Sequence, residues 1–90
     1  MKKYPKLLNV EVLGKLKLIL HYDNNENRIL DLNKYMISEF FRELEDFEYF
    51  KQVRVSSNTV SWPNEQDIAP ETIYIDSILV NNDILETYPY

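Results

Sequence analysis

The sequence predicts an α+β domain: an antiparallel β-meander of three strands plus a short β-hairpin, with a central helical segment and a C-terminal helix. Three observations carry this. Between Leu8 and Leu32 apolar residues recur at every second position, and short polar turns interrupt them, which is the pattern of half-buried strands. From Phe40 to Phe50 the apolar spacing lengthens to three and four, which is helical. The segment Val53 to Ser77, VRVSSNTVSWPNEQDIAPETIYIDS, then packs the only Trp and two of the four Pro into 25 residues, with two further changes of period.

Leu8, Val10 and Val12 alternate with Asn9 and Glu11 as the first strand. Gly14, the only glycine, tolerates φ > 0 and marks a tight hairpin at Leu13-Gly14-Lys15. Leu16, Leu18, Leu20 and Tyr22 form the apolar face of the second strand. Asp23-Asn24-Asn25-Glu26 is a turn, because Asn and Asp accept left-handed backbone, and Arg28 to Leu32 is the third strand. Asn33 is placed to cap a turn over Lys34 to Ile37, and Ser38 the next one. Phe40, Leu44 and Phe47 recur at i, i+4, i+7 with Phe41 and Phe50 flanking them, so the phenylalanines read as core; Asp46 breaks the helix and caps a last turn through Phe50. Val53–Val55 and Thr59–Trp62 are short β runs about Ser56-Ser57-Asn58. Pro63 stops the second run. Ala69-Pro70-Glu71 opens a helix, with Pro suited to the first position and Glu to the dipole, although Ala is a weak cap. That helix is expected from Pro70 to about Leu79, within a single domain over residues 1–80 followed by a tail over 81–90.

The 90 residues suit one domain. Cysteine is absent, which removes disulfides, thiolate nucleophiles and Cys-based zinc sites and fits a reducing, cytoplasmic setting. Pro5 and the charges at Lys6, Glu11, Lys15 and Lys17 break the basic-then-apolar start, so it does not read as a signal peptide. No apolar run reaches the ~18 residues of a membrane span. Residues 1–17 hold five Lys and one Glu (+4), whereas 18–90 hold five Lys or Arg and 14 Asp or Glu (−9). An acidic body disfavours nucleic acid and favours a small basic protein partner.

No chemical constellation stands out. His21 is the only histidine and reads as a strand residue; one histidine supplies neither a triad nor a zinc site. One glycine cannot build a phosphate loop. Asp67 and Glu71 are the acid–base candidates nearest Trp62, and they read instead as turn and helix-start partners. Glu39, Glu43, Glu45, Asp46 and Glu48 read as a solvated face rather than a cation site. The chain is therefore expected to be no enzyme and to need no cofactor. Trp62 reads as the core residue joining hairpin to helix. With Tyr74, Tyr88 and Tyr90 it also has the apolar body and polar tip of an interface residue. The expected partner-binding set is Glu39, Glu43, Glu48, Trp62, Tyr74, Tyr88 and Tyr90.

These blocks in order resemble a known bacterial family: Tyr4-Pro5-Lys6, Arg28-Ile29-Leu30-Asp31-Leu32, Tyr35, Phe50-Lys51-Gln52-Val53, Val60-Ser61-Trp62-Pro63-Asn64, and Asp67-Ile68-Ala69-Pro70-Glu71-Thr72-Ile73-Tyr74. The family is domain of unknown function 2442, and the resemblance spans about residues 4 to 79. The sequence departs from the family pattern at Ala69, where an acidic or polar cap is usual, and at Asn64 to Gln66, which replace a glycine-containing turn. The resemblance implies an α+β fold, no established enzymatic activity, and antitoxin-like membership of toxin–antitoxin pairs. Some members add a helix-turn-helix domain; only 11 residues follow Leu79 here, so direct operator binding is not expected. The alternative is a homodimeric regulatory or small-ligand-sensing domain, which rests on open strand edges and the aromatics near Trp62.

Overall fold

The computed structural model describes residues 4–80. Strand β1 (Leu7–Gly14) pairs antiparallel with β2 (Lys17–Tyr22), which pairs with β3 (Asn27–Asp31). Two 3-10 helices follow over Asn33–Ile37 and Glu39–Glu45, then one helical turn α1 (Phe47–Phe50). Strands β4 (Arg54–Ser56) and β5 (Thr59–Ser61) form a separate hairpin. Helix α2 (Pro70–Asp76) leads into β6 (Ile78–Val80), which returns to β3 and gives the main sheet the order β1-β2-β3-β6. The α+β class and the three-stranded meander stand as predicted from the sequence.

The core lies between one face of this sheet and the helical and hairpin layer. Leu18, Leu20, Leu30, Leu32, Leu44, Phe50, Val60, Trp62 and Ile73 are all fully buried. Leu18 and Leu30 face each other across β2 and β3, so alternate residues of the two strands point the same way. Trp62 stacks on Phe50 at 5.8 Å between ring centres, and its indole N–H donates to the Phe50 carbonyl at 2.9 Å. Asn58 ties the hairpin to β1: its side-chain oxygen accepts from the Leu7 amide (2.7 Å) and its amide donates to the Pro5 carbonyl (3.3 Å). Ser57 and Asn58 both sit at positive φ (49° and 63°), the backbone of a two-residue hairpin turn whose twist matches the strands.

Several sequence expectations change. Leu8 is 58% exposed while Leu7 is buried, because a register shift between Leu7 and Asn9 flips the phase of the strand. The left-handed residue of the first hairpin is not Gly14 but Leu16, at φ 58°. Leu16 accepts that conformation in order to bury its side chain in the core, and its carbonyl takes the Leu32 amide at 2.8 Å.

The phenylalanines expected in the core divide: Phe50 is fully buried and Phe41 half-buried, whereas Phe40 is 54% and Phe47 40% exposed. The reason is the 3-10 geometry, in which three residues make a turn and residues four apart no longer share a face. Ser38 and Asp46, both extended, break the segment into short pieces. Ser38 makes no side-chain cap, and Asn33 lies within its 3-10 helix with Leu32 before it. Asp46 does cap α1, accepting from the Glu48 amide at 3.1 Å.

Helix α2 stops at Asp76, not near Leu79. Ser77 is extended (φ −83°, ψ 159°) and the apolar run Ile78 to Val80, β-branched at both ends, joins the sheet. The expected tail over 81–90 lies outside the described residues.

The Asn64–Gln66 departure has a visible consequence. The Trp62 carbonyl accepts from the Glu65 amide at 2.9 Å, closing a turn that places Glu65 at φ 71°. A side chain with a Cβ is strained there and glycine is not. Glu65→Gly is expected to stabilise the protein by about 0.5–1 kcal/mol. A urea titration checks this; an unchanged or lower midpoint would show that the turn is relaxed as it stands.

Candidate functional site

The exposed acidic segment is built from the turn upward. Gln66 is buried, and every polar end of its side chain is used. Its oxygen accepts from the Tyr49 hydroxyl (2.6 Å), and its amide donates to Glu43 Oε1 (3.0 Å) and to the Phe40 carbonyl (3.3 Å). Asn64 donates to both Glu43 oxygens at 2.8 and 2.9 Å, and its backbone amide donates to the Tyr49 hydroxyl at 2.8 Å. The turn that follows Trp62 therefore pins the second 3-10 helix and α1 against the hairpin. Glu43 is a clamp in this network rather than a free contact residue. The surface that remains open carries Glu39, Glu45, Asp46 and Glu48, with the exposed rings of Phe40 and Phe47 among them. Glu48 also pairs with Lys51 at 3.0 Å while staying 81% exposed, and Lys51 reaches over the Phe47 ring at 5.2 Å. This is an acidic surface with aromatic rings held by ring contacts, Phe47 stacked on Phe50 and Phe40 edge-on to Phe41.

The seven expected partner-binding residues do not form one surface. Glu39 and Glu48 lie on the open acidic segment and Glu43 is its clamp. Trp62 is fully buried, so it is corrected from contact candidate to core residue. Its bulk and its indole hydrogen bond are both consumed inside the fold. Tyr74 belongs to a different cluster, at the β3–β6 edge. Tyr88 and Tyr90 lie outside the described residues. Sequence reasoning missed Gln66, Phe40 and Phe47 as parts of this site. The sequence pattern held no signal for them: a spacing of three groups Phe47 with the buried Leu44 and Phe50.

The Tyr74 cluster is organised by Arg28. Its guanidinium donates to Ser77 Oγ (2.8 Å), the Ser77 carbonyl (3.0 Å) and Glu26 Oε1 (2.9 Å), and stacks over the Tyr74 ring at 4.2 Å. Tyr74 donates its hydroxyl to Glu26 at 2.7 Å and meets the Tyr4 and Tyr22 rings edge-on. The Tyr74 hydrogen bond, aided by Arg28, holds the Glu26 carboxyl below its ordinary pKa against the opposing effect of burial. The same bond pushes the Tyr74 hydroxyl up. Burial pushes the Tyr22 hydroxyl up to about 12, against the pull of Arg28, and that hydroxyl has no hydrogen-bond partner among the described residues. Beside this cluster, Asp76 accepts from the Tyr35 hydroxyl at 2.5 Å and pairs with Lys34 at 3.3 Å; the tyrosine bond, more than the lysine, lowers its pKa.

His21 lies on the opposite face of the sheet. Its ring spans Glu11 (2.5 Å) and Asn27 (2.7 Å), a cross-strand polar row rather than a catalytic arrangement. Asp67 and Glu71 are both exposed, and Asp67 forms a backbone bridge with Ser61.

Among the described residues no helix is long and apolar enough to cross a membrane. No curated protein and no solved structure matches the chain. The family model described as protein of unknown function (DUF2442) matches residues 7–78, which takes in the meander, the Trp62 turn that clamps the acidic segment, and α2. The chain belongs to that family.

Proposed function

We propose that this protein is a non-enzymatic protein-binding module, the antitoxin-like member of a two-protein pair, which covers a basic surface on a small partner. The observation that supports this reading is the segment Glu39–Glu48, where five carboxylates stand against a single arginine and two phenylalanine rings are exposed among them. Charges of one sign raise the encounter rate with a basic partner. Rigid aromatic rings supply the residence time. Arg42, the one cation of the segment, donates to the Met36 carbonyl at 3.1 Å. The acidic balance of residues 18–90 argues against nucleic acid as the ligand.

The test is co-expression with the adjacent small reading frame, followed by pull-down at two salt concentrations. A complex that holds at low salt and weakens at high salt is expected. Phe47→Ala is expected to weaken it by about 1–2 kcal/mol through the off-rate, and Glu48→Lys to slow association. No complex at low salt, or one that tolerates both substitutions, would overturn the proposal.

A further inference from the structure

The β6 edge of the main sheet has a different chemistry, and we infer that it is an interface between two copies of this chain. Strand β6 is the terminal strand of the main sheet among the described residues. In five consecutive positions it and the end of α2 present Ile75, Ile78 and Leu79 at 62%, 68% and 56% exposure. Beside them is an open cleft of about 180 Å³, lined by Ile29, Asp31, Asp76, Ile78 and Val80. An apolar sheet edge is a template for another strand.

Charge decides which strand. Among the described residues, the charged groups around this edge are Glu26, Arg28, Lys34 and Asp76, with Asp31 facing Lys17 across β2 and β3. Three carboxylates and three cations balance, in a chain whose net charge is −5. A basic partner gains no net attraction here and is drawn instead to the Glu39–Glu48 surface. A second copy is repelled by most of the acidic body, but not at this neutral, apolar edge.

The geometry is self-complementary. Antiparallel pairing of β6 with its two-fold mate places Leu79 opposite its own counterpart and Ile78 opposite Val80. Ile78 pairs with Ile29 in the existing sheet, so the apolar row Ile29-Ile78 continues into the mate's Val80 and on to its cleft. The result is an eight-stranded sheet whose pairing edge includes none of the residues Glu39 to Glu48, so this inference does not rest on the proposed partner.

Sedimentation velocity of the full chain over a wide concentration range tests it. The wild type is expected to dimerise, with little change on adding salt, since no net charge is brought together. Leu79→Lys and Ile78→Lys each place a charge on the edge and are expected to weaken the dimer about tenfold or more. Both positions are exposed, so both variants are expected to keep the wild-type circular dichroism. Leu8→Lys, on β1 at the other edge of the sheet, is expected to leave the dimer intact. A monomeric wild type, a dimer unaffected by both β6 variants, or one broken by Leu8→Lys would overturn the inference. Partner capture in the pull-down is unaffected by any of these outcomes.

Discussion

Trp62→Ala is expected to remove about 3–5 kcal/mol of folding stability. Small domains hold about 5–15 kcal/mol in all, so the variant is expected to be largely unfolded at physiological temperature. The indole is fully buried, stacks on Phe50, and sits where hairpin, α1 and helical layer meet. Its removal leaves a cavity that the surrounding buried side chains only partly fill. Trp62→Phe separates volume from hydrogen bonding. It keeps most of the ring but leaves the Phe50 carbonyl without its donor, and is expected to cost about 1–3 kcal/mol. Urea denaturation followed by circular dichroism checks both; a loss below about 1 kcal/mol for the Ala variant would mean that Trp62 is not the packing centre.

Arg28→Ala is expected to cost about 2–3 kcal/mol, more than an exposed ion pair would. Arg28 makes two hydrogen bonds to Ser77, one to Glu26 and a stack on Tyr74. Ser77 is buried, so its carbonyl would be left without this donor. Arg28→Lys is expected to recover little, because an ammonium cannot grip Ser77 at two atoms and stack at the same time. Ser77 joins α2 to β6, so hydrogen exchange is expected to show lost protection at Ile78 to Val80 while β1 and β2 stay protected. A double-mutant cycle with Ser77→Ala measures the coupling; a value near zero would place the stabilisation in the Glu26 pair alone.

The proposals place function on two surfaces that differ in how they could be read. The acids from Glu39 to Glu48 are plain in the sequence. Which of them are available is not, because Glu43 is spent on Asn64 and Gln66 from a turn some twenty residues on. Trp62 shows the reverse: its polar tip marks it as an interface residue, yet the Phe50 carbonyl satisfies that tip inside the core. Phe40 and Phe47 were assigned to the core by an i, i+4 rule that holds only if the segment is α-helical.

What the sequence determined by itself were features governed by neighbours. These are the period of the meander, the Asx-rich turn at Asn25, the Asp46 cap, the Pro70 helix start, and through them the α+β class and the family. Each follows from backbone preferences acting over a few residues. What only the tertiary structure decided were features set by partners far along the chain. Leu16 takes the left-handed position in place of the glycine two residues earlier because the core needs its side chain. The last helix gives way to β6 because Arg28, 49 positions away, holds Ser77 extended. Local preferences run from tenths of a kcal/mol per residue to about 1–2 kcal/mol for a left-handed leucine, whereas burying a leucine side chain contributes about 1.5–3 kcal/mol and a buried carbonyl left unsatisfied costs about 1–3 kcal/mol, so where the two compete the distant partner prevails.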